Sequence, residues 1–255
     1  MANTTYEVRG RAAWITLDAP QSRNALSAAL IAELGGHLRA AIDDEAVRVI
    51  VLTGNGPAFC AGADLKGGGG AVAPGGGQRN PFVEILKLIW DGPKPVIGAV
   101  NGHAFGGGLG LVAAVDIAVA VDTARFAFSE VRVGVIPAMI SVVVLPKLGV
   151  HQTMRLFLTG ETFDAARALG YGLLHRVVPA ADLTRAVQEE VEAIALGGPN
   201  AVREAKRLVR AVPRLSMDDG FAYAEAKIAE LFASPEAAEG MAAFAAKRKP
   251  RWAEE

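Results

Sequence analysis

Two stretches of nearly bulk-free chain, each placed just after a short apolar run, constrain this sequence more than any other feature. The first, Phe59-Cys60-Ala61-Gly62-Ala63-Asp64-Leu65-Lys66, follows the run Val47 to Thr53. The second, Gly102-His103-Ala104-Phe105-Gly106-Gly107-Gly108-Leu109-Gly110, follows Pro95 to Val100. The apolar runs read as buried strands, so each turn removes side-chain bulk where a strand ends. Glycine and alanine there let a ligand come within hydrogen-bonding distance of main-chain N–H groups. Two such turns can aim two N–H groups at one oxygen. That is the arrangement of an oxyanion hole, and no single glycine-rich loop implies it.

The flanking chain alternates between strand and helix. Ala12 to Leu17 reads as a strand, Ala19 to Asn24 as a turn, and Ser27 as the cap of a helix running to Asp43 with Leu30, Ile31, Leu34, Leu38 and Ile42 on one face. A helix from Pro81 to Trp90 precedes the second apolar run, and a helix of small residues, Leu109 to Val115, follows its turn. Asp116 to Val121 and Arg125 to Phe128 read as further strands. This order predicts an α/β fold with a largely parallel sheet and crossover helices. Beyond Val150 the pattern is helical: Gln152 to Leu158, Asp164 to Leu169, Ala180 to Leu196, Asn200 to Val212, Met217 to Phe232 and Pro235 to Lys247. The break Gly197-Gly198-Pro199 divides a core, 1–196, from a helical subdomain, 197–255. Gly67 to Gly77 is of low complexity and reads as a mobile segment.

Composition excludes several function classes. With 51% hydrophobic residues the 255-residue chain can bury a sizeable core, while a net charge of −1 and 6% aromatics argue against nucleic acid or an anionic membrane surface as partner. The apolar stretches are too short for a membrane span, and the first residues carry neither a basic flank nor an apolar signal region, so a cytoplasmic location is expected. The one cysteine, Cys60, rules out an intrachain disulfide framework and reads as a small buried hydrophobe, not a nucleophile. His37, His103, His151 and His175 have no metal-ligand spacing, and no metal site is expected.

Several ordered motifs together resemble the crotonase, or enoyl-CoA hydratase/isomerase, superfamily. They are Arg23-Asn24-Ala25-Leu26, Phe59 to Lys66, Ala99-Val100-Asn101-Gly102, Gly106 to Gly108, Ser129-Glu130-Val131-Arg132-Val133-Gly134, and the closing Glu239-Gly240-Met241-Ala242-Ala243-Phe244 with Lys247-Arg248-Lys249-Pro250. The resemblance covers almost the whole chain. It implies a ClpP/crotonase-like spiral of ββα units, a helical C-terminal trimerisation subdomain assembling a homotrimer or dimer of trimers, and an acyl-CoA thioester substrate. No cofactor is implied, because coenzyme A is part of that substrate.

Carried over by position, the resemblance makes the backbone N–H groups of Ala63 and Gly107 the oxyanion hole and Glu130 the acid/base residue. Read by itself, without the resemblance, Glu130 is sooner an exposed strand-end carboxylate paired with Arg125 or Arg132. Arg23, Lys66 and Lys247 would contact CoA phosphates, Lys247 from across a subunit interface. Main-chain groups at Ala25 and Ala61 would bracket the adenine and pantetheine. Asp64, Leu65, Gly106, Pro137 and Phe244 complete the expected substrate contacts, and Ile136, Met139 and Ile140 the acyl pocket. Asp64 is also expected to cap a helix opening near Leu65. The chain departs from the two-glutamate hydratases at Gly110, where they carry a second Glu. With one glutamate it is most similar to bacterial hydratases of the methylglutaconyl-CoA type, and a Δ3–Δ2 enoyl-CoA isomerase fits as well. Two readings from other classes stay open: a dinucleotide site at Gly108 to Ala113, with Asp122 and Glu130 downstream, and a non-catalytic acyl-CoA-binding protein. A serine hydrolase fits less well still, because the chain has no G-x-S-x-G elbow and Ser129 has no assignable His–Asp set.

Overall fold

The structure, a computed structural model, describes residues 2–65 and 80–254; Lys66 and the segment Gly67 to Gly77 lie outside them. Four ββα units follow one another. Thr4–Arg9 (β1) and Ala12–Leu17 (β2) lead to Ala28–Asp43 (α1), and Val49–Gly54 (β3) and Ala58–Cys60 (β4) lead to Pro81–Asp91 (α2). Val96–Val100 (β5) and His103–Phe105 (β6) lead to Gly107–Ala114 (α3), and Ile117–Val121 (β7) and Arg125–Ala127 (β8) lead to Ala138–Thr159 (α4). Then come Phe163–Asp164 (β9), Ala165–Gly170 (α5), Arg176–Val178 (β10) and Leu183–Ala195 (α6), and finally Pro199–Ala211 (α7), Met217–Phe232 (α8) and Pro235–Ala245 (α9).

Strand–helix alternation alone suggests one largely parallel sheet, but the strands divide between two. Six strands form a sheet in the order β1-β2-β3-β5-β7-β10, and four form another in the order β4-β6-β8-β9. All neighbours are parallel except β1 with β2 and β8 with β9. From the second unit on, the first strand of each unit enters the large sheet and the second enters the small one. The corner between them is held by side chains. Asn101 accepts from the Gly54 N–H at 2.9 Å and donates to the Gly56 carbonyl at 3.0 Å, tying the ends of β3 and β5 together.

The helices start where their caps place them. Ser27 Oγ accepts from the Leu30 N–H and Asn80 Oδ1 from the Phe82 N–H, with Pro81 preset for the first turn of α2. Along α1 the buried stripe is Leu30, Ile31, Leu34, Leu38 and Ala41; Ile42 is only half-buried. Helix α4 is two helices joined at a kink: the one beyond Gly149 is that expected from Gln152 to Leu158, and the one before it, from Ala138, is not expected. Pro146 and Gly149 conceal it in the sequence, and the structure absorbs them with a kink at Gly149 (φ 67°). Under the small sheet Phe126, Phe128 and Phe163 lie with ring centroids 5.8 and 6.4 Å apart.

Past Gly197 the chain stays bonded to the core. Arg48 donates to the Gly197 carbonyl at 2.6 Å, Trp252 Nε1 to the Leu196 carbonyl at 3.0 Å, and Arg11 to the carbonyl of Trp252. Helices α8 and α9 nevertheless leave Phe221, Ile228, Phe232 and Phe244 exposed. Among the described residues no helix is long and apolar enough to cross a membrane.

Candidate active site

The two small-residue turns meet. Each contains a three-residue strand, and these pair in parallel, Ala58 with His103 and Cys60 with Ala104. Beyond β4 the chain bends at Gly62, with φ +88°. A Cβ on Gly62 would lie 2.7 Å from the Phe105 carbonyl oxygen and 3.2 Å from the Gly107 nitrogen, so only glycine lets the first turn close on the second. Likewise a Cβ on Gly108 would strike Cys60, which seats the first turn of α3 directly on β4. Cys60 itself is free and fully buried, and burial pushes its thiol up to about 12. That environment keeps the sulfur an inert hydrophobe.

The segment Arg23-Asn24-Ala25-Leu26 braces the first turn from the other side. Ala61 N–H donates to the Arg23 carbonyl at 3.0 Å and Leu26 N–H to the Gly62 carbonyl at 2.8 Å. Asn24 is fully buried at φ 56°; its Oδ1 accepts from Ala19 N–H, and its Nδ2 donates toward the carbonyls of Asn55, Ala58 and Phe59. Asparagine tolerates this backbone region, and its side-chain amide satisfies carbonyls that the bend leaves over.

Two donors are left facing the resulting cleft. Among the described residues neither Ala63 nor Gly107 gives its N–H to a protein acceptor. Gly107 opens α3, where the first N–H groups have no partner inside the helix and lie at the positive end of its dipole. Gly106, at φ +50°, positions that start.

Glu130 comes up beside the same point. It follows β8 in a short 3-10 turn, Glu130–Val133, and a Cβ on Gly106 would lie 3.2 Å from its Oε1. Its Oε2 is buried without a hydrogen-bond partner, and burial pushes the carboxyl above the ordinary carboxylate range. The pairings that the sequence leaves open are not made among the described residues: Arg125 donates to the Ala124 carbonyl and Arg132 to that of Thr159.

Gly110 has a steric cause. A Cβ there would fall far inside contact distance of Ile140 Cγ2 and 2.8 Å from Ile140 Cβ. Ile140, 3% exposed on α4, fills the space into which a side chain at position 110 would project. No second carboxylate has room at this point.

A cavity of about 490 Å³ joins these parts. Of the residues expected from sequence, Ala61, Ala63, Leu65, Gly106, Gly107, Glu130, Pro137, Ile136, Met139 and Ile140 line it. Arg23, Ala25 and Asp64 adjoin its rim through the bonded segment just described. Phe244, 86% exposed on α9, and Lys247 beyond it do not line the cavity of their own chain. Lys66 lies outside the described residues, as do the positions at which a helix past Leu65 is expected; Leu65 itself stands in a turn. Sequence reasoning missed Gly62, Phe82, Ser129, Val133, Val135 and Ala138. Phe82 carried a signal as the first apolar residue after the Asn80-Pro81 helix start. Glu130 is the one ionisable side chain among the described lining residues. Elsewhere, His103 Nδ1 accepts from Arg125 N–H and His175 Nδ1 from Ala118 N–H. No three potential metal ligands converge among the described residues.

Comparison with known proteins bears on the same elements. The sequence profile of enoyl-CoA hydratase/isomerase matches residues 7–255. The chain is 39% identical over 244 residues to a probable enoyl-CoA hydratase of Rhizobium meliloti, covering 95% of each protein. It is 36% identical over 250 residues to a carnitinyl-CoA dehydratase of Proteus mirabilis, covering 96% of this chain and 95% of that protein. A solved enoyl-CoA hydratase of Shewanella pealeana superposes with a TM-score of 0.92 at 32% identity, covering 98% of this chain and 96% of the other.

Proposed function

This chain belongs to the enoyl-CoA hydratase/isomerase family, and we propose that it adds water across the 2,3 double bond of an enoyl-CoA thioester with Glu130 as its acid/base residue. One observation carries the reading: two unpaired N–H groups, at Ala63 and Gly107, and one desolvated carboxylate converge on a single apolar cavity. The thioester oxygen accepts from both N–H groups. Glu130 takes a proton from water as the water oxygen bonds to Cβ, and the π electrons move toward the thioester oxygen. The enolate so formed is what the two donors stabilise, and each is worth on the order of 10²–10³ in rate. Glu130 then returns its proton to Cα, so water is added without net change in the protein. Its raised affinity for protons suits a group that must both take and give one near neutral pH.

The same Glu130 can instead move a proton between Cα and Cγ in a Δ3–Δ2 isomerase. The observation favouring this second reading is Ile140, which closes the space at Gly110 and leaves one carboxylate to do the work. An enoyl-CoA panel assayed both for loss of the conjugated double bond and for its migration separates the two. Hydration of crotonyl-CoA or a branched enoyl-CoA supports the first reading; migration without hydration supports the second. Turnover of no enoyl-CoA refutes both.

Arg23, Ala25, Ala61, Asp64, Leu65 and Lys66 are assigned to CoA contacts on the near side. Phe244 and Lys247 are assigned to the cavity of an adjacent subunit in a trimer or dimer of trimers. The exposed apolar residues of α8 and α9 support such an assembly.

A further inference from the structure

A second and larger cavity, about 860 Å³, shares no lining residue with the first. The reaction cleft is built where β4, β6 and β8 end. The second cavity is built where β5 and β7 begin, at Pro95 and Asp116, and is walled by Lys147 of α4 and by Lys206 and Arg210 of α7. Asp116 is the one acidic residue among those lining it, against the four cations Lys147, Lys206, Arg210 and Arg214.

That carboxylate is fully committed. Its Oδ2 accepts from the Val96 N–H at 2.8 Å and pairs with Lys206 Nζ at 2.8 Å, while Oδ1 pairs with Arg210 at 2.9 Å. Arg210 also lies over the Trp90 ring, 3.3 Å from its centroid. Lys147 is left with only the Val115 carbonyl, which its Nζ meets at 2.6 Å, and it forms no ion pair among the described residues. Burial, with Arg210 and Lys206 nearby, brings its ammonium down to about 8. His175 accepts the Ala118 N–H on Nδ1, so its other ring nitrogen carries the proton and is a further donor. Asp91 offsets part of the charge on Lys206 and Arg210, so the buried cation left without an ion pair is Lys147, a state that is unfavourable unless an anion supplies one.

We propose that this cavity binds the phosphate group of a small soluble ligand, with Lys147, Arg214 and His175 as donors not saturated by Asp116. Its volume is that of a small-molecule site, larger than an inorganic ion needs, and its walls include Ile117, Pro146 and Ile194. The ligand is therefore a phosphate monoester with an apolar body. This inference is independent of the reaction assigned to the other cavity.

Titration calorimetry on the full chain, at constant ionic strength with chloride as the balancing anion, tests it with inorganic phosphate and phenyl phosphate as probes. Saturable binding of both is expected, at least tenfold tighter for phenyl phosphate. Lys147→Met and the exposed Arg214→Gln should each weaken both probes at least fivefold, and Glu130→Gln should leave both unchanged. Arg214→Gln keeps the test decisive if Lys147→Met does not fold. Heats no different from those of chloride overturn the proposal. So does binding unaffected by either cavity variant, or an equal affinity for the two probes.

Discussion

Gly110→Ala adds one methyl group, and the structure states what that group meets. The new Cβ would lie 2.8 Å from Ile140 Cβ and closer still to Cγ2, where carbon atoms prefer about 3.5–4.0 Å. Rotating Ile140 moves Cγ2 but not Cβ, which is fixed to α4, so α3 and α4 must part. Overpacking of this kind costs about 1–3 kcal/mol. Alanine in a helix recovers about 0.5–1 kcal/mol relative to glycine, so the net loss should be near 1–2 kcal/mol. For a chain of this size that lowers Tm by about 2–8 °C. Ile140→Ala alone should cost about 2–5 kcal/mol through the cavity it leaves. In the double variant the Cγ2 contact is gone and only the Cβ–Cβ contact remains, so much of the overpacking is relieved and the added methyl takes up part of the cavity. Denaturant unfolding of all four proteins at one protein concentration should therefore give a total at least about 1 kcal/mol below the sum of the singles. Strict additivity, or a stabilising Gly110→Ala, would show that position 110 is open and that its lack of a side chain has another cause.

Gly107→Pro removes the proposed donor, whereas Gly107→Ala keeps it, and both place a Cβ 2.8 Å from Leu26 Cδ1. The proline variant should show kcat at least about 10² below the alanine variant; equal values would remove Gly107 from the oxyanion hole. Because burial raises the Glu130 carboxyl and its base form starts hydration, kcat/KM should fall as pH drops through that raised value, earlier than for an ordinary carboxylate. An acid limb at the ordinary position contradicts the assignment. The same shift means that the folded protein binds a proton there more tightly than the unfolded chain. Glu130 therefore costs stability as pH rises from 4.5, the ordinary value, through its raised one. Glu130→Gln should melt higher than wild type at neutral pH, with the gap closing in acid; a lower melting point at neutral pH counts against the desolvated carboxylate. Sedimentation should find a trimer or a multiple of it, and a stable monomer would leave Phe244 and Lys247 without a role at the site.

Much of the fold is legible where structure is local. Ser27, Asn80, Asp164, Ser216 and Ser234 each accept an N–H from the first turn of a helix, and such starts can be read from a few residues. The second sheet is not local. Strands β4 and β6 are three residues long, sit inside segments that read as turns, and pair across more than forty residues of chain. Strand β1 is an edge strand whose Glu7 and Arg9 break the apolar pattern; its start is pinned instead by Glu33 of α1, which accepts from Asn3 and Thr4. Glu130 reads as catalytic only through resemblance, since nothing in its neighbours forecasts a half-buried carboxylate with an unpartnered oxygen. What sequence could not supply is the reason for Gly110. That lies in Ile140, thirty residues on, and is visible only once α3 and α4 are packed together.

The central claim is that Glu130 carries the proton chemistry of an enoyl-CoA site whose oxygen contacts are main-chain. Crotonyl-CoA hydration by wild type and Glu130→Gln, with CoA affinity measured on the same preparations, tests it most directly. The account predicts turnover reduced by about 10²–10⁴ while CoA binds within about threefold of wild type. Wild-type turnover in Glu130→Gln would contradict it.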